Sequence, residues 1–239
     1  MAESGFRVVN TAGRIYERIE RPAAAVVREL ARAYTGFILD RLGKQGAMHP
    51  AIAPLSPGMK VCGPAVTCLG ADLSVRRAAI DLAQPGDVIV VAANASPIAC
   101  FGDGTARRML LKGLAGVVID APTRDAAALR TLPFATFSRG ATPRNHHYPL
   151  ESGQGGVNVP VVVGGVRVNP GDVVFGDDDG VVVIPRMLAP HVAEGIAAAI
   201  DKESSDRAAM RAYEPFDVRA ELERAGYRFV DGPCPDGLA

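Results

Sequence analysis

Two aspartates and one arginine stand in an order that could support chemistry at one end of a β-sheet. Asp103 opens a predicted helix that ends near Gly113. The apolar stretch 114–120 then predicts a buried strand, and Arg124 and Asp125 follow it. Such a helix–strand unit brings both carboxylates and the guanidinium to one edge of a sheet, where α/β proteins form ligand sites. Carboxylates suit a hard divalent cation such as Mg²⁺ or Mn²⁺, and an arginine suits a carboxylate or a developing oxyanion.

Taken singly, these residues also have ordinary structural explanations. Aspartate is a common helix N-cap, so Asp103 could simply cap the helix that it precedes. Arg124 and Asp125 could form a solvated ion pair of little energetic value, or Asp125 could cap the next helix. Asp120 ends the predicted strand, and its interpretation as a turn residue is as reasonable as its interpretation as a site residue. The run 177–179 consists of three aspartates, and a solvated turn before a strand explains it better than a metal site.

The composition of the chain narrows its class. The 239 residues are 48% apolar and carry a formal net charge of zero. A large core is therefore expected, while neutrality argues against a nucleic-acid-binding protein or a basic membrane-surface protein. No run approaches the roughly 20 apolar residues of a membrane span, and residues 1–10 lack the apolar segment of a signal peptide. The four cysteines have neither Cys-x-x-Cys nor zinc-ligand spacing, so we expect reduced thiols and a cytoplasmic location.

Apolar runs and turn residues predict an alternation of helices and strands. The run 88–92 is continuously apolar, as in a strand that is buried on both faces. Besides the unit around Asp103, the predicted helices cover 23–33, 37–42, 76–83, 126–132, 187–212 and 218–224. The other predicted strands cover 61–69, 88–92, 134–137, 159–163, 173–175 and 180–185. The polar stretch 139–156 has no periodicity and predicts a long surface loop, a type of segment that is often functional.

Four basic residues near this unit have two interpretations each. His146 and His147 lie in the loop 139–156. Adjacent residues of an extended segment point to opposite sides, so joint metal ligation is awkward. The histidines could be an ordinary loop pair, or either could contact a substrate carboxylate. Arg107 and Arg108 lie one turn into the predicted helix, where either could contact a distal carboxylate or both could be solvated.

The spacing Asp-x20-Arg-Asp resembles that of the class II pyruvate aldolases, which cleave 4-hydroxy-4-methyl-2-oxoglutarate and 4-carboxy-4-hydroxy-2-oxoadipate. Their family also contains the regulator of ribonuclease activity A (RraA). Strings similar to those of the family follow in family order at 63–67, 85–88, 158–160, 170–173, 177–185 and 220–230. Each string is weak, but their order along nearly the whole chain favours the functional interpretation of the aspartates and the arginine.

The resemblance implies a fold and an assembly. The fold would be α/β, with helices packed around two β-sheets in the RraA-like, swivelling β/β/α arrangement. The chain would be a single domain, 1–239, in which 187–239 is a C-terminal helical extension that reaches a neighbouring subunit. The assembly would be a homotrimer or a hexamer with active sites at the subunit interfaces.

The resemblance also implies roles for site residues. Asp125 would bind a divalent metal directly, and Asp103 would hold metal-bound water and move protons. Arg124 would stabilise an enolate oxygen. Glu203 matches an acidic residue that the aldolases donate from a neighbouring subunit to the water shell of the metal. The backbone N–H groups that would hold the pyruvyl carboxylate belong to Gly102, Asp103, Gly104 and Thr105.

The chain departs from the family pattern in the walls of the expected site. Gly104 and Thr105 replace bulky aliphatic residues, and 121–123 reads Ala-Pro-Thr where a glycine is usual. The loop 139–156 is longer than is usual in the family. Lys112 is the one lysine near the unit, at the far end of the predicted helix from Asp103, which favours metal over Schiff-base chemistry. Enolate chemistry is therefore more firmly indicated than the identity of the substrate.

Three functions are compatible with these observations. The first is a metal-dependent lyase that cleaves a 4-hydroxy-2-oxo dicarboxylic acid to pyruvate and a second oxo acid, with oxaloacetate decarboxylation as a side activity. The second is a protein-binding regulator similar to RraA, and the third is another enolate-forming enzyme on a different 2-oxo acid. The combined presence of Asp103, Arg124, Asp125 and Glu203 favours catalysis. Neutral charge and the lack of an aromatic-basic stretch argue against RNA binding.

Overall fold

The structure is a computed structural model that describes residues 13–70, 72–145, 153–213 and 215–233. Their contacts form two compact units, Met1–Ala198 and Ala199–Ala239. The helices of these residues are α1 (Ala24–Leu30), α2 (Thr35–Arg41), α3 (Leu73–Leu82), α4 (Asp103–Leu111), α5 (Ala126–Thr131), α6 (Ala189–Ala193), α7 (Ile196–Ala209) and α8 (Arg219–Arg224). The strands are β1 (Ala53–Pro54), β2 (Val61–Leu69), β3 (Val88–Ala92), β4 (Gly116–Ile119), β5 (Ala135–Ser138), β6 (Gly156–Val157), β7 (Val161–Val163), β8 (Val166–Val168), β9 (Val173–Asp177) and β10 (Gly180–Ile184).

The strands form one eight-stranded sheet and one two-stranded sheet, which confirms the predicted α/β class with two sheets. The large sheet has the order β1-β5-β4-β3-β2-β9-β10, with β6 paired to β2. The strands β2, β3, β4 and β5 are parallel neighbours, and α3, α4 and α5 connect them in turn. Because these strands run in one direction, their carboxyl ends and the helix starts that follow them share one edge of the sheet.

Both faces of the parallel strands are buried. Along β3, Ile89 and Val91 pack in a cluster that also contains Met109 of α4. Val88 and Val90 face the opposite side and pack in a second cluster with residues of β7, β9 and β10. The continuously apolar run that predicted a doubly buried strand is therefore confirmed, with the same bounds.

The large sheet curls into a nearly closed barrel. The β9–β10 hairpin lies antiparallel to β2, and β1 at the other end of the strand order contacts β10. The segment before β1 joins β10 through two backbone bonds, Met48 N–H to Val181 O at 2.9 Å and Val183 N–H to Gly46 O at 2.9 Å. Gly46 has a φ of +91°, and a Cβ there would lie 2.6 Å from Val183 O, so this close approach requires glycine.

The predicted helix 187–212 is wrong as a single element. The structure forms α6 and α7 instead, and Gly195 between them has a φ of +77°. A left-handed residue ends the hydrogen-bond ladder of a helix, and glycine adopts that conformation without steric cost. The short strands β1, β6 and β8 were not predicted. His146 and His147 lie outside the described residues.

The second unit is held by local contacts along its own residues. Arg219 at the start of α8 pairs with Glu223 at 3.1 Å, and its guanidinium lies 4.1 Å from the ring centroid of Phe229. In the described residues of both units, no helix is long and apolar enough to cross a membrane.

Candidate functional site

The carboxyl ends of β3 and β4 bring the two predicted segments of the site together. The N–H of Arg124 donates to the carbonyl of Phe101 at 2.9 Å. The N–H of Cys100 donates to the carbonyl of Pro122 at 3.4 Å. These bonds continue the pairing of the parallel strands beyond their ends, so the start of α4 lies beside the Arg-Asp pair.

Asp125 has a conformation that is unusual for a residue with a side chain. Its φ of 59° and ψ of 34° place it in the left-handed region, which costs free energy and is frequent at functional sites. The side chain makes no cap bond to α5. Instead, Oδ2 accepts from the N–H of Asp103 at 3.3 Å and lies 3.5 Å from Nε of Arg124. The side chain is 44% exposed, so the carboxylate is open to a ligand.

Gly102 allows α4 to start close to this carboxylate. It is the N-cap residue of α4 and has an extended backbone, with a φ of −164°. A Cβ at this position would lie 2.5 Å from Oδ2 of Asp125 and 3.1 Å from Cγ of Arg124. Glycine is therefore required here for space rather than for backbone conformation.

Asp103 is brought to the site by its backbone more than by its carboxylate. It is the first residue of α4, and Gly102 holds the N-cap position that the sequence alone could assign to Asp103. Its carboxylate accepts from Nε of Arg107 at 2.8 Å, one turn further along the helix. The cavity beside Asp125 is lined by Gly102, Gly104 and Thr105 but not by Asp103. The role of Asp103 in proton transfer stays a prediction.

A cavity of about 270 Å³ lies at this edge of the sheet. Four arginines and one acidic residue of the described chain line it, so a field of positive charge faces an entering anion. Arg108, Arg124 and Asp125 belong to the predicted unit, while Arg76 and Arg77 come from α3. Arg76 and Arg77 were not predicted as site residues. The parallel pairing of β2 with β3 is the signal for them, because it places the helix after β2 at the same edge as α4.

Cys100 lines the same cavity but is poorly suited to act as a nucleophile. Burial raises the pKa of its thiol, and the positive charge of Arg76 only partly opposes that rise. A thiol with a raised pKa stays protonated near neutral pH. Cys100 therefore contributes an apolar wall to the cavity.

Other aspartates for which the sequence allowed a functional role form hydrogen bonds or ion pairs within the fold. The buried carboxylate of Asp120 pairs with Arg139 and accepts from the N–H of Gly164 at 3.2 Å. Asp177 of the three-aspartate run accepts from the N–H and the hydroxyl of Thr35, both at 2.8 Å. The run lies at the turn between β9 and β10, as predicted.

A hydrated divalent cation fits the residues that the site offers. Nowhere in the described parts of the chain do three or more His, Cys, Asp or Glu residues form a group that could hold a metal. Mg²⁺ nevertheless binds commonly through one or two carboxylates and keeps several waters, and the exposed carboxylate of Asp125 meets that need. Glu203 lies in the second unit and pairs with Arg207. Its donation from a neighbouring subunit stays a prediction.

Fold and site together define an α/β protein with a cationic cavity and a strained aspartate at the ends of its parallel strands. Residues 33–183 match the model of the RraA-like family, described as Aldolase/RraA. A Halalkalibacterium halodurans protein named "Putative 4-hydroxy-4-methyl-2-oxoglutarate aldolase" is 36% identical over 196 residues, which cover 80% of this chain and 90% of that protein. The chain belongs to the RraA-like family, as the order of its motifs predicts.

Two further comparisons agree with this membership. A Burkholderia multivorans protein with the same printed name is 34% identical over 148 residues, which cover 61% of this chain and 88% of that protein. The crystal structure of Streptomyces coelicolor RraAS2, titled an unusual member of the RNase ES inhibitor RraA protein family, has a TM-score of 0.68 and 33% identity. The match covers 81% of this chain and 100% of that chain. Relatives of both the aldolase and the regulator type are therefore similar to this protein.

Proposed function

We propose that this protein is a divalent-metal-dependent aldolase, a carbon–carbon lyase that cleaves a 4-hydroxy-2-oxo dicarboxylic acid to pyruvate and a second oxo acid. The convergence of Asp125, Arg124 and the start of α4 on one cationic cavity carries the proposal. The names of the aldolase-type relatives support it. The metal would be Mg²⁺ or Mn²⁺, because the donor is a hard carboxylate oxygen.

The reaction needs a site that stabilises an enolate. A base removes the proton of the C4 hydroxyl, the C3–C4 bond breaks, and its electrons form the enolate of pyruvate, which then takes a proton at C3. A divalent cation held by Asp125 would supply the polarisation of the C2 carbonyl. Arg124 lies beside this carboxylate and donates to the oxygen on which negative charge develops. The N–H groups of Gly102 and Gly104 at the start of α4 would bind the pyruvyl carboxylate, because the N–H of Asp103 donates to Asp125 and that of Thr105 donates to Gly102.

The cleavage also needs a group that takes the proton of the C4 hydroxyl and delivers one to C3. We assign this proton transfer to Asp103. In the chain it lies between Gly102 and Gly104, which line the cavity, but its carboxylate accepts a hydrogen bond from Arg107. It would reach the substrate through water or after exchange of this bond. Oxaloacetate decarboxylation would accompany the cleavage, since loss of carbon dioxide from C3 leaves the same pyruvate enolate.

A protein-binding regulator is the second candidate, because RraAS2 carries the name of an RNase ES inhibitor family. In that case the cavity would need neither metal nor substrate for function. A third candidate keeps the enolate chemistry on another 2-oxo acid, since Gly104 and Thr105 give the cavity walls unlike those of the aldolases. We further propose a homotrimer or hexamer, in which Glu203 of each chain serves the site of a neighbour.

Pyruvate release tests the proposal. Oxaloacetate and 4-hydroxy-4-methyl-2-oxoglutarate are offered with Mg²⁺ or with EDTA, and pyruvate is followed by coupled reduction with lactate dehydrogenase. Asp125→Asn should lower turnover by about a thousandfold or more, because it removes the charge of the direct metal ligand. Asp179→Asn removes the same charge at the β9–β10 turn and should retain wild-type turnover. Folded, metal-supplied wild-type protein that releases no pyruvate would rule out the aldolase and favour the other candidates.

A further inference from the structure

The cavity of the candidate site continues into a second cavity between α3 and α4. This cavity measures about 440 Å³. Five residues line both cavities, so the two share a wall and form one continuous cleft. They are Leu73, Arg76 and Arg77 of α3 and Thr105 and Arg108 of α4. The second cavity leads away from Asp125 along the length of α3, from Leu73 to Asp81, and beside Thr105 and Arg108 of α4.

Positive charge dominates this cleft. Arg77 on α3 and Arg108 on α4 line it from facing helices, and both are exposed. Among the residues that the structure describes, neither guanidinium forms a hydrogen bond or an ion pair. Arg76 lies deeper, with 5% of its surface exposed. Asp81 supplies the one acidic side chain among the described residues that line the second cavity. Like charges on facing helices repel, and an anion held between them removes that repulsion.

The position of Arg108 relative to the start of α4 sets a length. Gly104 and Arg108 are four residues apart and lie on one face of the helix, about 6 Å apart along its axis. That rise is comparable with the length of an extended six-carbon dicarboxylate. A substrate with its pyruvyl group at the N-terminus of α4 would therefore place its other end near Arg108.

We propose that Arg77 and Arg108 bind the second carboxylate of the substrate and so select dicarboxylic over monocarboxylic 2-oxo acids. This inference rests on the proposed aldolase function, since it assumes that the pyruvyl group binds at Asp125. An arginine suits this task because its planar guanidinium donates two parallel hydrogen bonds to one carboxylate. Arg107 does not share the role, because its Nε donates to Asp103.

Competition against pyruvate tests the assignment without the true substrate. With Mg²⁺ and deuterated water, the protein should exchange the C3 protons of pyruvate for deuterium through the enolate, and nuclear magnetic resonance follows the loss of the methyl signal. Inhibition constants are measured for 2-oxoadipate against 2-oxohexanoate, and for 2-oxoglutarate against 2-oxopentanoate. The two acids of each pair have the same number of carbon atoms, and only the first acid has a second carboxylate. The readout is the ratio of the two inhibition constants, which is independent of the exchange rate of each variant.

We expect the wild-type protein to bind the dicarboxylate of at least one pair about tenfold or more tightly than its monocarboxylate partner. R77Q/R108Q should bring that ratio close to one. Arg28→Gln removes an equal charge from an exposed position of α1 and should leave the ratio unchanged. A wild-type preference that survives in R77Q/R108Q, or no wild-type preference in either pair, overturns the assignment while the enolate chemistry stands. A wild-type protein that exchanges no pyruvate protons overturns the proposed function and this assignment with it.

Discussion

Gly102→Ala would place a methyl group against the carboxylate that we assign to the metal. The added Cβ would lie 2.5 Å from Oδ2 of Asp125, whereas ordinary contacts begin at about 3.4 Å. The carboxylate must therefore withdraw by about 0.9 Å, the difference between these two distances. Because the backbone of Gly102 is extended, alanine adopts it without strain, and the perturbation is confined to the site.

The size of the effect follows from this displacement. A misplacement of about 1 Å at a reacting centre can lower turnover by about a hundredfold, and we expect a loss of that order for Gly102→Ala. Metal affinity should fall by about tenfold to a hundredfold, as when the groups that orient a metal ligand are changed. The free energy of unfolding should fall by only about 1 kcal/mol, the low end of the cost of overpacking, because Asp125 is part-exposed and can move.

Gly104→Ala is the matched comparison, two residues further along the same helix. A Cβ at Gly104 meets no atom within 4 Å, and alanine in a helix is favoured over glycine by roughly 0.5–1 kcal/mol. This variant should therefore be more stable and lose far less turnover than Gly102→Ala. Manganese binding by electron paramagnetic resonance and pyruvate release are measured for both. Equal metal affinity and turnover in wild-type and Gly102→Ala protein would refute the placement of Asp125 as the metal ligand.

Two further predictions concern stability and thiol chemistry. Asp120→Asn should lower the free energy of unfolding by about 2–4 kcal/mol, because it leaves Arg139 without its buried partner, and urea titration giving the wild-type midpoint would contradict this. Burial raises the pKa of both Cys62 and Cys68 to about 12, so at pH 8 about one thiol in ten thousand is thiolate and this fraction grows tenfold per pH unit. A thiol reagent should therefore react with Cys62 and Cys68 far more slowly in native than in urea-unfolded Cys234→Ser protein, and equal rates in the two states would contradict that account.

The parallel core could be predicted from the sequence because its signals are local. The strands β2 and β3 have the predicted bounds, since apolar runs end at turn residues on both sides. The break at Gly195 was missed because alanine-rich flanks predict a continuous helix, and only the φ of this residue shows that the chain turns. Strands of two or three residues such as β6 and β8 carry too few residues for a periodicity.

The part of the candidate site that follows from the pairing of the parallel strands could be predicted from the sequence. The adjacency of α4 and the Arg-Asp pair follows from the succession of β3, α4 and β4. Two features depend on distant packing and could not be read from spacing alone. They are the exclusion of a side chain at Gly102 and the contribution of Arg77 from α3. The bond from Arg107 to Asp103 joins residues four apart on α4 and is a local pair that their spacing allows.

The central claim is that Asp125 and Arg124 form a metal-dependent enolate site, and deuterium exchange into pyruvate tests it without a choice of aldol substrate. Exchange at C3 is measured for wild-type and Asp125→Asn protein, each with Mg²⁺ and with EDTA, after both are shown to be folded. The account predicts exchange in wild-type protein with Mg²⁺, and its loss both with EDTA and in the variant. Exchange that persists in Asp125→Asn protein, or its absence from metal-supplied wild-type protein, would contradict the account.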